Sequence, residues 1–168
     1  LVSSGAVSAG IAKSGLGHRP ISLEEKQAMA AIGQCELMSI YDRLFSEYGT
    51  IVAQILLTKD VLTDKERHEN IVNTFNTLLE LDALPIINEN DTVATEEIEF
   101  GDNDTLSAIV AKTVNADALV ILTDIDGLYA ENPKTNPDAK LIHVVETIDE
   151  HTKQIAGGAG TSRGTGGM

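Results

Sequence analysis

Basic residues are scarce in this sequence: 12 lysines and arginines face 26 aspartates and glutamates, for a formal net charge of −14 over 168 residues. A chain of that sign repels nucleic acid and anionic membranes, and no basic patch offsets it here. A small-molecule partner is therefore expected, with no nucleic acid and no membrane. Cysteine is scarcer still, with Cys35 alone. A single cysteine cannot close an internal disulfide, which points to a reducing compartment and to the cytoplasm. Cys35 lies in a helical pattern beside Gln34 and Leu37, with no base near it, and reads as a core residue. No apolar run reaches the length of a membrane-crossing helix.

Several catalytic signatures are also missing. There is no G-x-x-x-x-G-K-[ST], which excludes a Walker-type nucleotide site. The late glycines fail G-x-G-x-x-G, because Arg163 stands where the last glycine is required after Gly158 and Gly160. No Cys/His cluster for zinc occurs. The four histidines, His18, His68, His143 and His151, are scattered and read as surface residues.

What is present suits one compact α/β unit. Hydrophobic residues make up 42% and charged residues 23%, enough to bury a sizeable core. Ser22-Leu23-Glu24-Glu25 matches a capping box and opens a long helix ended by Gly49. Ile51 to Leu57 reads as a strand. Lys65 to Leu81 reads as a helix with Ile71, Phe75, Leu78 and Leu79 on one face. Leu84 to Ile87 is a short strand. Asp102 or Asn103 caps a helix that turns Leu106, Ile109, Val110 and Val114 to the core. Ala118 to Leu122 reads as a further buried strand and Leu141 to Val145 as an additional one. Strands alternating with helices predict a mainly parallel sheet covered on both faces. No linker divides residues 1–168 into two domains. Both ends read as cut: Leu1-Val2 as the tail of a buried strand, and Gly164 to Met168 as an interrupted glycine-rich loop.

Ligands of open parallel sheets bind beyond the carboxyl ends of the strands. Ser3-Ser4-Gly5, Asn88-Glu89-Asn90-Asp91 and Thr123-Asp124 follow strands in this reading, and Gly101-Asp102-Asn103-Asp104 opens a helix, where backbone N–H groups favour an anion. Helix capping alone accounts for Asp102. For Asn103 and Asp104, a cap plus a second acid accounts for the pattern as well as a site does. Thr123-Asp124 also fits a plain turn. Asn88 to Asp91 is more polar than a simple turn needs.

Five strings occur in order: Ser3-Ser4-Gly5-Ala6, Ile87-Asn88-Glu89-Asn90-Asp91, Phe100-Gly101-Asp102-Asn103-Asp104, Leu122-Thr123-Asp124-Ile125-Asp126-Gly127-Leu128-Tyr129 and Gly164-Thr165-Gly166-Gly167-Met168. Together they resemble the glutamate 5-kinase (γ-glutamyl kinase) family, of amino-acid-kinase fold, over essentially the whole chain. The resemblance implies a three-layer αβα sandwich with a mainly parallel sheet, of which residues 1–168 form a partial domain truncated at both ends. It implies ATP-dependent phosphorylation of the γ-carboxylate of L-glutamate, the first step of proline synthesis, with ATP and Mg²⁺ as cofactors, proline as feedback inhibitor and a homo-oligomeric state.

Residue by residue, Ser4, Asp91 and Asn103 match glutamate-binding positions of that family, with Asn88 as a neighbour. Thr123 and Asp124 match ATP-binding positions, and Thr165, Gly166, Gly167 and Met168 match the start of the ATP loop. Asp104 matches an acid that organises catalytic lysines. Two lysines of the family pattern have no counterpart within the chain, so the 168 residues alone are expected to be nearly inactive. Relatives of the same fold, such as an N-acetylglutamate kinase, an aspartokinase or a uridylate kinase, and a non-catalytic amino-acid sensor are the alternatives. Asn88 to Asp91 with Phe100 to Asp104 favours the glutamate reading.

Overall fold

The computed structural model describes residues 1–58, 60–93 and 103–156. The chain divides into two compact units, Leu1–Asp117 and Ala118–Met168.

The first unit is built on parallel pairing. Strand β1 (Ile51–Leu57) runs beside strand β2 (Ala83–Glu89) in a register from Ile51 opposite Ala83 to Leu57 opposite Glu89. The opening residues lie along the other edge of β2. Val2 bridges Ile87 in parallel. Ile87 N donates to Leu1 O and Ser3 N donates to Ile87 O, both at 2.8 Å. A central parallel strand is covered on both faces and so carries a nearly continuous apolar run. Residues 85–88 of β2 are accordingly all buried.

Successive side chains of a strand point to opposite faces, and different helices meet the two faces of β2. Ile87 belongs to a cluster with Ile55, Leu57, Phe75 of helix α4 (Lys65–Glu80), and Leu106 and Val110 of helix α5 (Asn103–Thr113). Val2, Ile71, Leu78, Ile109 and Val114 pack around it. Full burial of a side chain like Phe75 contributes about 1.5–3 kcal/mol. Asn88, next along the strand, instead reaches Gln34 of helix α2 (Leu23–Ser46). The short helix α3 (Asp60–Thr63) precedes α4, whose N-cap Asp64 accepts from Arg67 N at 3.0 Å.

Helix α2 begins with the capping box read from the sequence. Ser22 Oγ accepts from Glu25 N at 3.2 Å, while Glu25 Oε2 accepts from Ser22 N at 3.5 Å and from Ile21 N at 2.9 Å. Its partner is helix α1 (Ala6–Ser14), which the sequence reading did not anticipate. The two backbones touch where both helices carry glycine. A Cβ on Gly33 would stand 1.7 Å from Ala6 O, and one on Gly10 would stand 1.9 Å from Met29 O. Only hydrogen fits at either position.

Several expectations change. Cys35 is exposed, because the covered face of α2 is Ala30, Gly33 and Gln34. Leu79 is exposed, since the buried stripe of α4 passes through Ile71, Phe75 and Leu78. Strand β2 extends through Asn88 and Glu89, which therefore belong to the strand and do not follow it. Residues 118–122 form no strand, and Leu119 to Leu122 are exposed, Leu122 at 91%. An apolar run becomes a buried strand only where a neighbouring ladder accepts its backbone, and none pairs with it among the described residues.

In the second unit, Tyr129 and Leu141 form an isolated antiparallel bridge, with Ala130 N donating to Lys140 O at 2.9 Å and Ile142 N to Leu128 O at 2.7 Å. This bridge is all that appears of the strand expected over Leu141 to Val145. Helix α6 (Glu150–Ala156) follows, its first turn closed by Asp149, which accepts from Thr152 N at 2.7 Å.

Candidate functional site: a cleft at the carboxyl end of the central strand

The carboxyl end of β2 gathers the polar run picked out from the sequence. Asn88 is 2% exposed, so its amide must find partners inside the protein. It does: Asn88 Oδ1 accepts from Glu89 N at 2.9 Å, and Asn88 Nδ2 donates to Gln34 Oε1 at 2.9 Å. The side chain thus ties the central strand to α2. Asn90 N donates to Leu57 O at 2.8 Å, ending the ladder with β1. Asn90 Oδ1 then accepts from the Thr92 hydroxyl, and Val93 N donates to Asn90 O at 3.2 Å, which turns the chain at Asp91.

This turn forms one wall of a shallow cleft lined by Ala30, Gln34, Leu56 and the run Glu89 to Thr92. Asp91 is half-buried there. The sequence reading missed Gln34. An amide on a helix looks like surface, and the only signal was its spacing, four residues after Ala30 and one after Gly33, on the face that becomes buried.

Ser4 leaves the first segment at the level where β2 ends, given the pairing of Val2 with Ile87. Ser3 is buried and its hydroxyl shares a 2.9 Å hydrogen bond with the Tyr41 hydroxyl of α2. Ser4 is exposed. Gly5 follows with φ 88° and starts α1. Asn103 and Asp104 occupy the first turn of α5, Asn103 half-buried and Asp104 exposed. Leu106 anchors that turn in the cluster that also holds Leu57 and Ile87. Ser4, Asn88, Asp91, Asn103 and Asp104 therefore all belong to the first unit. Thr123 and Asp124 are exposed residues of the second. Asp102, Thr165, Gly166, Gly167 and Met168 lie outside the described residues.

Chemically, the cleft offers a carboxylate at Asp91 and amide groups at Gln34 and Asn90. The Glu89 carboxylate, the Thr92 hydroxyl and the apolar Ala30 and Leu56 complete the lining. No cluster of three or more His, Cys, Asp or Glu able to hold a metal occurs among the described residues. None of their helices is long and apolar enough to cross a membrane.

Comparison with known proteins identifies the family. The sequence profile of the amino acid kinase family matches residues 1–168. A protein of Clostridium perfringens named glutamate 5-kinase is 53% identical over 172 residues, covering all of this chain and 64% of that protein. Proteins of the same name from Caldanaerobacter subterraneus subsp. tengcongensis and Clostridium acetobutylicum are each 55% identical over 168 residues, with 45% and 63% of their lengths covered. The chain thus spans between 45 and 64% of the length of these curated relatives.

Proposed function

The chain belongs to the amino acid kinase family, and on that premise we propose that it is part of an enzyme that transfers the γ-phosphoryl group of ATP to the γ-carboxylate of L-glutamate. An oxygen of the carboxylate attacks the γ-phosphorus, the bond to the β,γ-bridging oxygen breaks, and γ-glutamyl phosphate and ADP leave. The observation that carries this reading is the 53–55% identity, over the whole chain, with proteins named glutamate 5-kinase. Those names do not favour an N-acetylglutamate kinase, an aspartokinase or a non-catalytic sensor.

Two anions must meet in this reaction, so positioning and charge neutralisation supply most of the catalysis. The γ-carboxylate needs no general base near neutral pH, since its ordinary pKa is about 4.3. Asp91 would pair with the α-ammonium of glutamate, and Ser4 and Asn103 would donate hydrogen bonds to its carboxylates. Asn88 would act as a neighbour, orienting Gln34. Asp104 would organise the cationic side chains of the phosphoryl-transfer site. Thr123, Asp124 and the run Thr165 to Met168 would bind ATP. Mg²⁺ would arrive on the phosphates of ATP, as it commonly does.

The wider reading has residues 1–168 as part of one three-layer αβα domain of a homo-oligomeric cytoplasmic enzyme of proline synthesis, inhibited by proline. The test is trapping of the acyl phosphate with hydroxylamine, using the protein expressed from the complete open reading frame. Hydroxamate formed only with both ATP and L-glutamate supports the reading. Hydroxamate formed from aspartate or N-acetylglutamate, and not from glutamate, overturns it.

A further inference from the structure

We infer that Gln34 is a specificity-determining residue of the cleft, its Nε2 amide donating to the α-carboxylate of the bound amino acid beside the ammonium held by Asp91; this rests on the glutamate-kinase reading above. The direction of a chain of amides carries the argument. The Glu89 backbone N–H donates to Asn88 Oδ1 at 2.9 Å, so the other branch of Asn88 is its NH₂ group. That group donates to Gln34 Oε1 at 2.9 Å, so the branch of Gln34 left over is Nε2. A backbone N–H cannot reverse, and both amides are oriented by it.

Gln34 is 7% exposed, and its Nε2 atom is buried with no hydrogen-bond partner among the described residues. A buried donor without a partner is destabilising. On a helix face otherwise made of Ala30 and Gly33, an apolar side chain would avoid that penalty. Gln34 also lines the cleft with Asp91, which offers Nε2 a partner from a ligand. The complement of an amide donor is an oxygen. In an amino acid, the ammonium and the α-carboxylate share one carbon, so an acceptor at Asp91 and a donor at Gln34 match the pair. Lysine or arginine could donate more strongly, but neither has an acceptor for Asn88 Nδ2. Glutamine serves both needs.

Two substitutions in the complete protein test this. Gln34→Glu keeps an oxygen facing Asn88 and replaces the donor by a second oxygen. Gln34→Met keeps the length and removes both functions. Loss of one hydrogen bond to a charged group should raise the KM for glutamate about 10- to 100-fold in both variants. The KM for ATP should stay within about twofold, because the interaction is made only with the amino acid. A folded Gln34→Glu with an unaltered glutamate KM would sink the inference. So would equal increases in both KM values with a lowered melting temperature, which mark a purely structural residue. If Gln34→Met does not fold, Gln34→Glu decides alone. An unsubstituted protein that fails to phosphorylate glutamate refutes the kinase reading itself, whereas normal unsubstituted kinetics with unaltered variants refute only the role of Gln34.

Discussion

Asn88 Nδ2 donates to Gln34 Oε1 across 2.9 Å, a buried bond joining the central strand to α2 over 54 residues of sequence. A neutral buried hydrogen bond contributes about 0.5–1.5 kcal/mol net, and stranding one partner costs about 1–3 kcal/mol. Asn88→Ala and Gln34→Ala are therefore each expected to lower unfolding stability, with the double variant losing less than the sum. Urea unfolding of the four proteins gives the coupling, expected near 1 kcal/mol. Strict additivity would mean that the bond contributes nothing.

Gly33→Ala is expected to be far more damaging than its one methyl suggests. The new Cβ would fall 1.7 Å from the carbonyl oxygen of Ala6, a backbone atom that cannot rotate away. Relief requires moving α1, and overpacking of this kind costs typically 1–3 kcal/mol. Because only Gly5 separates α1 from Ser4, the shift should also raise the glutamate KM. A variant as stable as the parent would show that α1 and α2 separate freely.

The legible parts of the fold were those with period and punctuation together. Helix α2 announced its start through Ser22 and Glu25, and β1 matched its predicted span from Ile51 to Leu57. Helix α5 turned Leu106 and Val110 inward as the spacing required. Helix α1 escaped because Ala6 to Ser14 is built of small residues: it packs by backbone approach at Gly10, without a bulky apolar stripe. The run 118–122 misled because hydrophobicity reports a preference for burial, and the partner strand is a tertiary fact. Of the candidate site, the polar run after Ile87 was visible, whereas Gln34 was not, since burial of a helical amide depends on the strand opposite it.

The capping box makes part of the stability pH-dependent. Backbone N–H groups of Ile21 and then Ser22 hold the Glu25 carboxyl below its ordinary value of 4.5, with the nearby His18 ring, 3.6 Å away, adding to the effect. A carboxyl depressed in the folded state stabilises above the unfolded value, and that contribution is lost as pH falls through the folded one. The urea midpoint of Glu25→Ala should thus lie below that of the parent at pH 7, and the gap should close below the ordinary value of 4.5. Ser22→Ala removes the other half of the box and should cost about 1 kcal/mol. A Glu25→Ala gap that widens on acidification would contradict the assignment.

Asp91→Asn should separate the two substrates. The side chain lines the cleft with Gln34, and the substitution keeps its shape while removing its charge. An ammonium held by a neutral amide loses the charge-assisted part of its hydrogen bond, and lost hydrogen bonds to charged groups correspond to about 10- to 100-fold in affinity. The glutamate KM is expected to rise by that factor, and the ATP KM to stay within about twofold, since nothing in the proposed role touches the nucleotide. The amide can still accept a hydrogen bond from a neighbour, so folding should be retained, and a thermal melt checks this. Should the ATP KM rise instead, with glutamate unaffected, Asp91 would belong to the nucleotide side of the reaction. The amino acid would then have to bind elsewhere on the carboxyl rim, with Ser4 and Asn103 as its remaining proposed contacts.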